Sequence, residues 1–148
     1  MPAIGPLLKT AMRLGPVAYP LVKKALEAAR NNPELLRVGE DLLNRFTKAR
    51  ASRSKPESLR RSAAVLRAQA QRLRAAATSP EDLARAERWL RQVDKVEAGI
   101  DLMAVHTGKK QHRDAAIIEK RVDALFAEIL TATVDDDEDG APARPQLT

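Results

Sequence analysis

The chain has no cysteine, one tryptophan, one tyrosine and two phenylalanines, and each shortage removes a class of answers. Without cysteine there is no disulfide and no thiolate nucleophile, and the ligands that most small structural zinc sites use are missing. With Tyr19, Phe46, Trp89 and Phe126 as the whole aromatic inventory, a core has to be built from Leu, Ile, Val and Ala. That mixture favours closely packed helices over sheet. The N-terminal region is short of uninterrupted apolar sequence. Its longest uncharged run, Leu14 to Val22, contains Pro16 and Pro20 and falls far below the roughly 20 residues that cross a bilayer. A basic start followed by an apolar stretch and a small-residue cleavage site is also missing, so a soluble, cytoplasmic protein is expected.

What is present is charge, unevenly placed. The 148 residues are the size of one ordinary domain and carry a net charge of +6,. Between positions 42 and 80 ten basic side chains face a single acid, Glu57, whereas Asp135 to Asp139 is an unbroken acidic run. The segment "LRRSAAVLRAQAQRLRAAA" (59–77) has five arginines and no acid. Such a helix either grips a polyanion or packs against an acidic helix of its own chain.

Apolar periodicity predicts helices throughout and no strand. Asn32-Pro33-Glu34 has the chemistry of a helix start, and Leu35, Val38, Leu42, Phe46 and Ala49 then recur at helical spacing over about 33–50. Ser54 to Glu57 and Ser79 to Asp82 have capping-box spacing with a proline in each first turn. The helix after the first box, to about Ala77, places Leu59, Ala63, Leu66, Ala70, Leu73 and Ala77 on a 4-3 seam like that of a coiled coil. The next, Pro80 to about His106, has a broad face of Leu83, Ala86, Trp89, Leu90, Val93, Val96, Ile100 and Met103, and Thr107-Gly108 ends it. A last helix over about 112–132 carries Ala115, Ile118, Val122, Leu125, Phe126, Ile129 and Leu130.

Short connections make these three helices antiparallel neighbours, so an all-α fold is expected with an antiparallel three-helix bundle over 53–133. Before it, residues 1–52 read as an N-terminal helical arm broken near 15–20, with Leu7, Ala11, Leu14, Ala18, Leu21, Val22, Ala25 and Ala29 on one line. Residues 134–148 read as a disordered acidic tail that masks the basic linker electrostatically.

Motifs that promise chemistry are weak. Asp135, Asp137, Asp139 and Gly140 imitate the opening of an EF-hand loop, but Gln146 stands where a bidentate glutamate is needed. His106 and His112 are six apart across a turn, and neither Asp101 nor Asp114 completes a ligand set with them. No nucleophile and base form a pair, and no glycine-rich loop cradles a phosphate. Neither a metal, a cofactor nor a small-molecule substrate is therefore expected, and the protein reads as non-enzymatic.

Arg60, Arg67 and Arg74 repeat every seven residues, as do Glu87, Asp94 and Asp101 on the following helix. Folding back at Ser79 brings each arginine within diagonal reach of an acid, so these six are expected to form structural ion pairs that fix register. Arg45, Lys48, Arg50, Arg53, Lys55, Arg61 and Arg72 remain as candidates for binding a polyanion. The leading expectation is a helical interaction protein whose N-terminal arm associates with a protein partner or a second copy. Sequence-independent nucleic-acid binding through 45–74 comes second. Peripheral attachment of the arm to an anionic membrane, with Lys9, Arg13, Lys23 and Lys24 outward, comes third.

Overall fold

Three prolines open helices at the one position where a missing N–H costs nothing, because the first backbone donors of a helix have no intrahelical acceptor. They begin α3 (Pro33–Ala49), α4 (Pro56–Ala76) and α5 (Pro80–Ala104). Asn32 Oδ1 accepts from the Leu35 N–H at 3.3 Å, and Ser79 Oγ accepts from the Asp82 N–H at 3.1 Å. Ser54, the third expected cap, lies outside the described residues. The computed structural model describes residues 5–50 and 55–143, with side chains given except at position 17 and at 136–143.

The described residues form helices and no strand. Ahead of α3 come α1 (Gly5–Ala11), a 3-10 turn (Met12–Leu14) and α2 (Gly15–Ala28). The break expected near 15–20 falls slightly earlier, where Gly15 takes φ 89°, a left-handed value open to glycine,. Pro16 then sits in the first turn of α2, and Pro20 is carried inside the helix on an exposed side.

The final helix, α6 (Gly108–Ala143), is longer at both ends than the spacing suggests. It starts at Gly108, whose φ of 63° lets the chain reverse directly into the next helix. Gln111 holds that reversal by donating to the Met103 and His106 carbonyls at 3.3 and 2.8 Å, satisfying acceptors left over at the end of α5,. At the far end α6 passes straight through the expected tail boundary. Val134 is buried, with its Cγ1 where a Cβ on Gly39 would meet it at 3.2 Å, and Thr133 Oγ1 accepts from Gln69 Nε2 at 3.1 Å. The tail assignment for 134–148 is corrected accordingly: 134–143 are helical, and 144–148 lie outside the described residues.

Helix α6 is the axis of the molecule, touching α2, α3, α4 and α5, while α4 and α5 form an extensive hairpin beside it. One buried cluster runs from Leu7 on α1 to Ala132 on α6, and a smaller one joins Ala25, Ala29, Leu35 and Val134. The arm is therefore not separate from the rest. Its apolar line at Leu7, Ala11, Leu14, Ala18, Val22, Ala25 and Ala29 is buried within the monomer, and Leu21 alone of that line is exposed. The reason lies on α6, which α2 and α3 both touch: a Cβ on Gly39 of α3 would lie within 4 Å of Val134, Leu130 and Leu26, and burying that apolar surface favours docking of the N-terminal helices,.

Helix α3 also turns differently from the simple apolar count. Leu36, Gly39 and Leu43 are buried with Leu35, Leu42 and Phe46, and Val38 is rotated to the edge at 42% exposure. At the heart of the packing Phe46 and Phe126 stack with ring centroids 4.1 Å apart.

Candidate interaction surfaces

Arg50, the C-terminal capping residue of α3, was expected to face a polyanion and does not. It is only 6% exposed. Its Nη2 lies 2.7 Å from Glu119 Oε1, its Nη1 pairs with Asp123 Oδ1, and its guanidinium carbon sits 5.7 Å above the Phe46 ring. Glu119 and Asp123 are four apart on α6 and so point the same way. Arg50 thus ties the end of α3 to the middle of α6, and the polyanion assignment for this residue is corrected. The available sequence signal was Asp123, an acid next to Val122 on the flank of an otherwise apolar face, which calls for a buried cation.

On the α4–α5 hairpin the geometry is that of a ladder. Arg60 Nη2 lies 3.1 Å from Asp101 Oδ1, Arg67 Nη2 lies 2.6 Å from Asp94 Oδ1, and Arg74 Nη2 lies 3.5 Å from Glu87 Oε2. The arginine column advances by seven while the acids recede by seven, as an antiparallel pair requires. Glu97 joins as a second partner of Arg67 at 2.5 Å. The Asp94 hydrogen bond, followed by that to Glu97, raises the Arg67 pKa above its ordinary value.

The remaining cationic candidates are scattered. Arg45 is exposed and paired with Asp41 in its own helix at 3.1 Å. Lys48, Lys55, Arg61 and Arg72 are exposed, and Arg53 lies outside the described residues. His106 Nδ1 meets Asp114 Oδ2 at 3.1 Å across the α5–α6 turn, while His112 is exposed. Among the described residues no three His, Cys, Asp or Glu side chains are grouped as metal ligands, and no helix is long and apolar enough to cross a membrane.

Two features of the surface were not foreseen. The first is a groove of about 260 Å³ between α3 and α4. Val38, Leu42, Ala64, Val65 and Ala68 give it an apolar lining, and Asp41, Arg45, Gln69 and Arg72 complete it. The second is a set of exposed apolar side chains around the α5–α6 turn, with Leu102 at 66%, Val105 at 76% and Ile117 at 55% exposure. The sequence hint for the groove was the pair Ala64 and Ala68, four apart on the exposed side of α4.

A family model described as YxzF protein is similar to residues 1–32, the stretch that includes α1, the 3-10 turn and α2. No curated protein and no solved structure matches the chain.

Proposed function

We propose that this chain is a non-enzymatic helical interaction protein that works through its surface. The observation that carries the reading is the set of large apolar side chains left exposed, notably Leu102, Val105, Ile117 and Val38, on a molecule that buries most of its other Leu, Ile and Val residues. Large apolar side chains left in water gain free energy when a second protein covers them. The reading also fits the use made of charge, since Arg50, Arg60, Arg67 and Arg74 are spent on holding helices together.

The association surface proposed here is not the apolar line between Leu7 and Ala29, which is already covered by the chain itself. The same burial disfavours laying the arm on a membrane, because its apolar residues would first have to leave the core.

Photo-crosslinking in cells, with the reactive residue at Leu102, tests the reading. Discrete adducts, either with another protein or with a second copy, are expected. A chain that stays monomeric by light scattering and yields no adduct from any exposed apolar position overturns it.

Sequence-independent contact with nucleic acid is the second reading. It is favoured by Lys48, Arg61 and Arg72, which are exposed and make no ion pair among the described residues. Phosphate contacts alone release counterions, so any such binding is expected to collapse between low and moderate salt and to differ little among sequences. Filter binding over a salt series measures this.

A further inference from the structure

The groove between α3 and α4 combines two features that neither a core packing defect nor a phosphate site needs together. Its floor is apolar and partly open, with Val38 42% exposed at one edge. Its rim is cationic, because Arg45 on α3 and Arg72 on α4 stand on opposite sides. Asp41 is the one acid on the lining, and it is an exposed partner of Arg45. A solvent-exposed pair of that kind contributes little and is readily exchanged for another carboxylate. Arg61 lies on the same flank of α4, four residues before Val65 and on the side away from the ladder, and makes no ion pair among the described residues.

We propose that this groove docks an acidic amphipathic helix of a partner protein, apolar side down on Val38, Leu42 and Val65, with carboxylates reaching Arg45 and Arg72. The proposal rests on the interaction reading and gives it a place and a partner chemistry. Physical arguments from volume, topology and packing select this occupant. A volume of about 260 Å³ lies below the range of pockets that enclose small-molecule ligands, roughly 300–1,000 Å³, but suits a side chain or two from a neighbour. With no strand among the described residues, an extended peptide has no sheet edge to join. A groove between two helices is the setting for helix-in-groove recognition through anchors at i, i+3, i+4 and i+7. Ala64 and Ala68, one turn apart, keep the α4 side low, so a third helix axis can approach within the usual 8–10 Å packing distance.

Charge complementarity then sets the sign of the partner. Arg50 and the ladder arginines are neutralised by acids of α5 and α6, but Arg72 on the groove and Arg61 on the same flank of α4 make no ion pair among the described residues. A basic partner would be repelled on approach, whereas an acidic one is steered in. Nucleic acid satisfies the rim but leaves the apolar floor unused. The chain's own acidic run from Asp135 to Asp139 has charge but no large apolar residue to seat, so a second copy docking through it would leave the floor equally bare.

The test uses the full-length protein and a synthetic peptide of roughly 18 residues, long enough to hold some helix on its own. Its leucines stand at i, i+3, i+4 and i+7, with glutamates on either side. Controls are a scrambled peptide of the same composition and a version with lysine for glutamate. Fluorescence anisotropy is expected to show binding of the glutamate peptide alone. Val38→Glu and Ala68→Trp, both at exposed positions and both checked for intact helix content, are each expected to weaken it by roughly tenfold or more. The double change Arg45→Glu, Arg72→Glu is expected to do the same and to flatten the salt dependence.

Equal binding of the scrambled peptide, or indifference to Val38→Glu and Ala68→Trp, overturns the proposal. So does an oligodeoxythymidylate that binds more tightly than the peptide and depends on the arginines but not on Val38, which points to phosphate instead. Photo-crosslinkers at Val65 and at Leu102 separate the two readings in cells. Adducts at Leu102 alone leave an interaction protein with a different surface and overturn the groove. Adducts at neither position overturn the interaction reading as well, whatever the peptide does.

Discussion

Arg50 shows how much one side chain can organise. Its guanidinium is buried, pairs with two carboxylates of α6 and lies over Phe46, which itself stacks on Phe126. Removing one partner of a buried ion pair strands the other charges away from water, which typically costs about 3–5 kcal/mol. Arg50→Met is therefore expected to lower the urea midpoint strongly, and adding Glu119→Gln and Asp123→Asn is expected to recover part of the loss. A change below about 1 kcal/mol for Arg50→Met would mean that the site is wetter than its burial implies. Arg67 makes the useful contrast, since it also holds two carboxylates but at 30% exposure. Exposed pairs are worth roughly 0.2–1 kcal/mol, so Arg67→Glu is expected to cost little in denaturant. Combining it with Asp94→Arg tests the pairing, because a genuine contact gives a non-additive recovery in a double-mutant cycle.

At the scale of elements, the decisive feature is the length of α6. Its buried positions continue from Ala115 to Val134 and cover four neighbouring helices. Gly39 packs tightly against α6 and α2: a Cβ there would meet Val134 Cγ1 at 3.2 Å and Leu26 Cδ2 at 3.5 Å. Gly39→Leu has no room to turn into and is expected to cost about 1–3 kcal/mol by overpacking, measurable as a fall in melting temperature. Truncation before Val134 is expected to destabilise as well, by about 1.5–3 kcal/mol for one buried valine. A tail free of the core would leave the melting temperature unchanged, and thermal denaturation of the truncated chain decides between the two outcomes.

For the whole molecule, the main consequence is that the N-terminal helices belong to the core. Leu7, Leu14, Val22 and Leu26 are buried in the same monomer as Leu66 and Ile129. Deleting residues 1–31 strips cover from α6, exposing Leu130 and its neighbours to water. The expected result is loss of a sharp cooperative transition, with dye binding to exposed apolar surface, rather than an intact bundle lacking an arm. A truncated protein that melts cooperatively near the temperature of the full chain would restore the arm as a separate element. At this scale the basic surplus is also reduced, since Arg50 is internal and the ladder arginines face acids.

Local chemistry determined the helices. Proline at the first position of α3, α4 and α5, caps at Asn32 and Ser79, and glycine at the last turn are effects within a few residues, so they can be read one segment at a time. The register of the arginine ladder was legible for a related reason, because two matching seven-residue repeats joined by a tight turn admit few alignments. What only the tertiary structure decided is how broad an apolar face must be before it demands another partner. The apolar line of α2 looks, in sequence, like a spare surface, and it is instead buried in a helix that packs on α6. Arg50 and the α3–α4 groove follow from that docking: once α6 sets the rotation of α3, Arg50 is carried inward to Asp123 and Val38 outward to the groove edge. Helical periodicity places residues on a face, but which face points inward depends on neighbours distant in the chain.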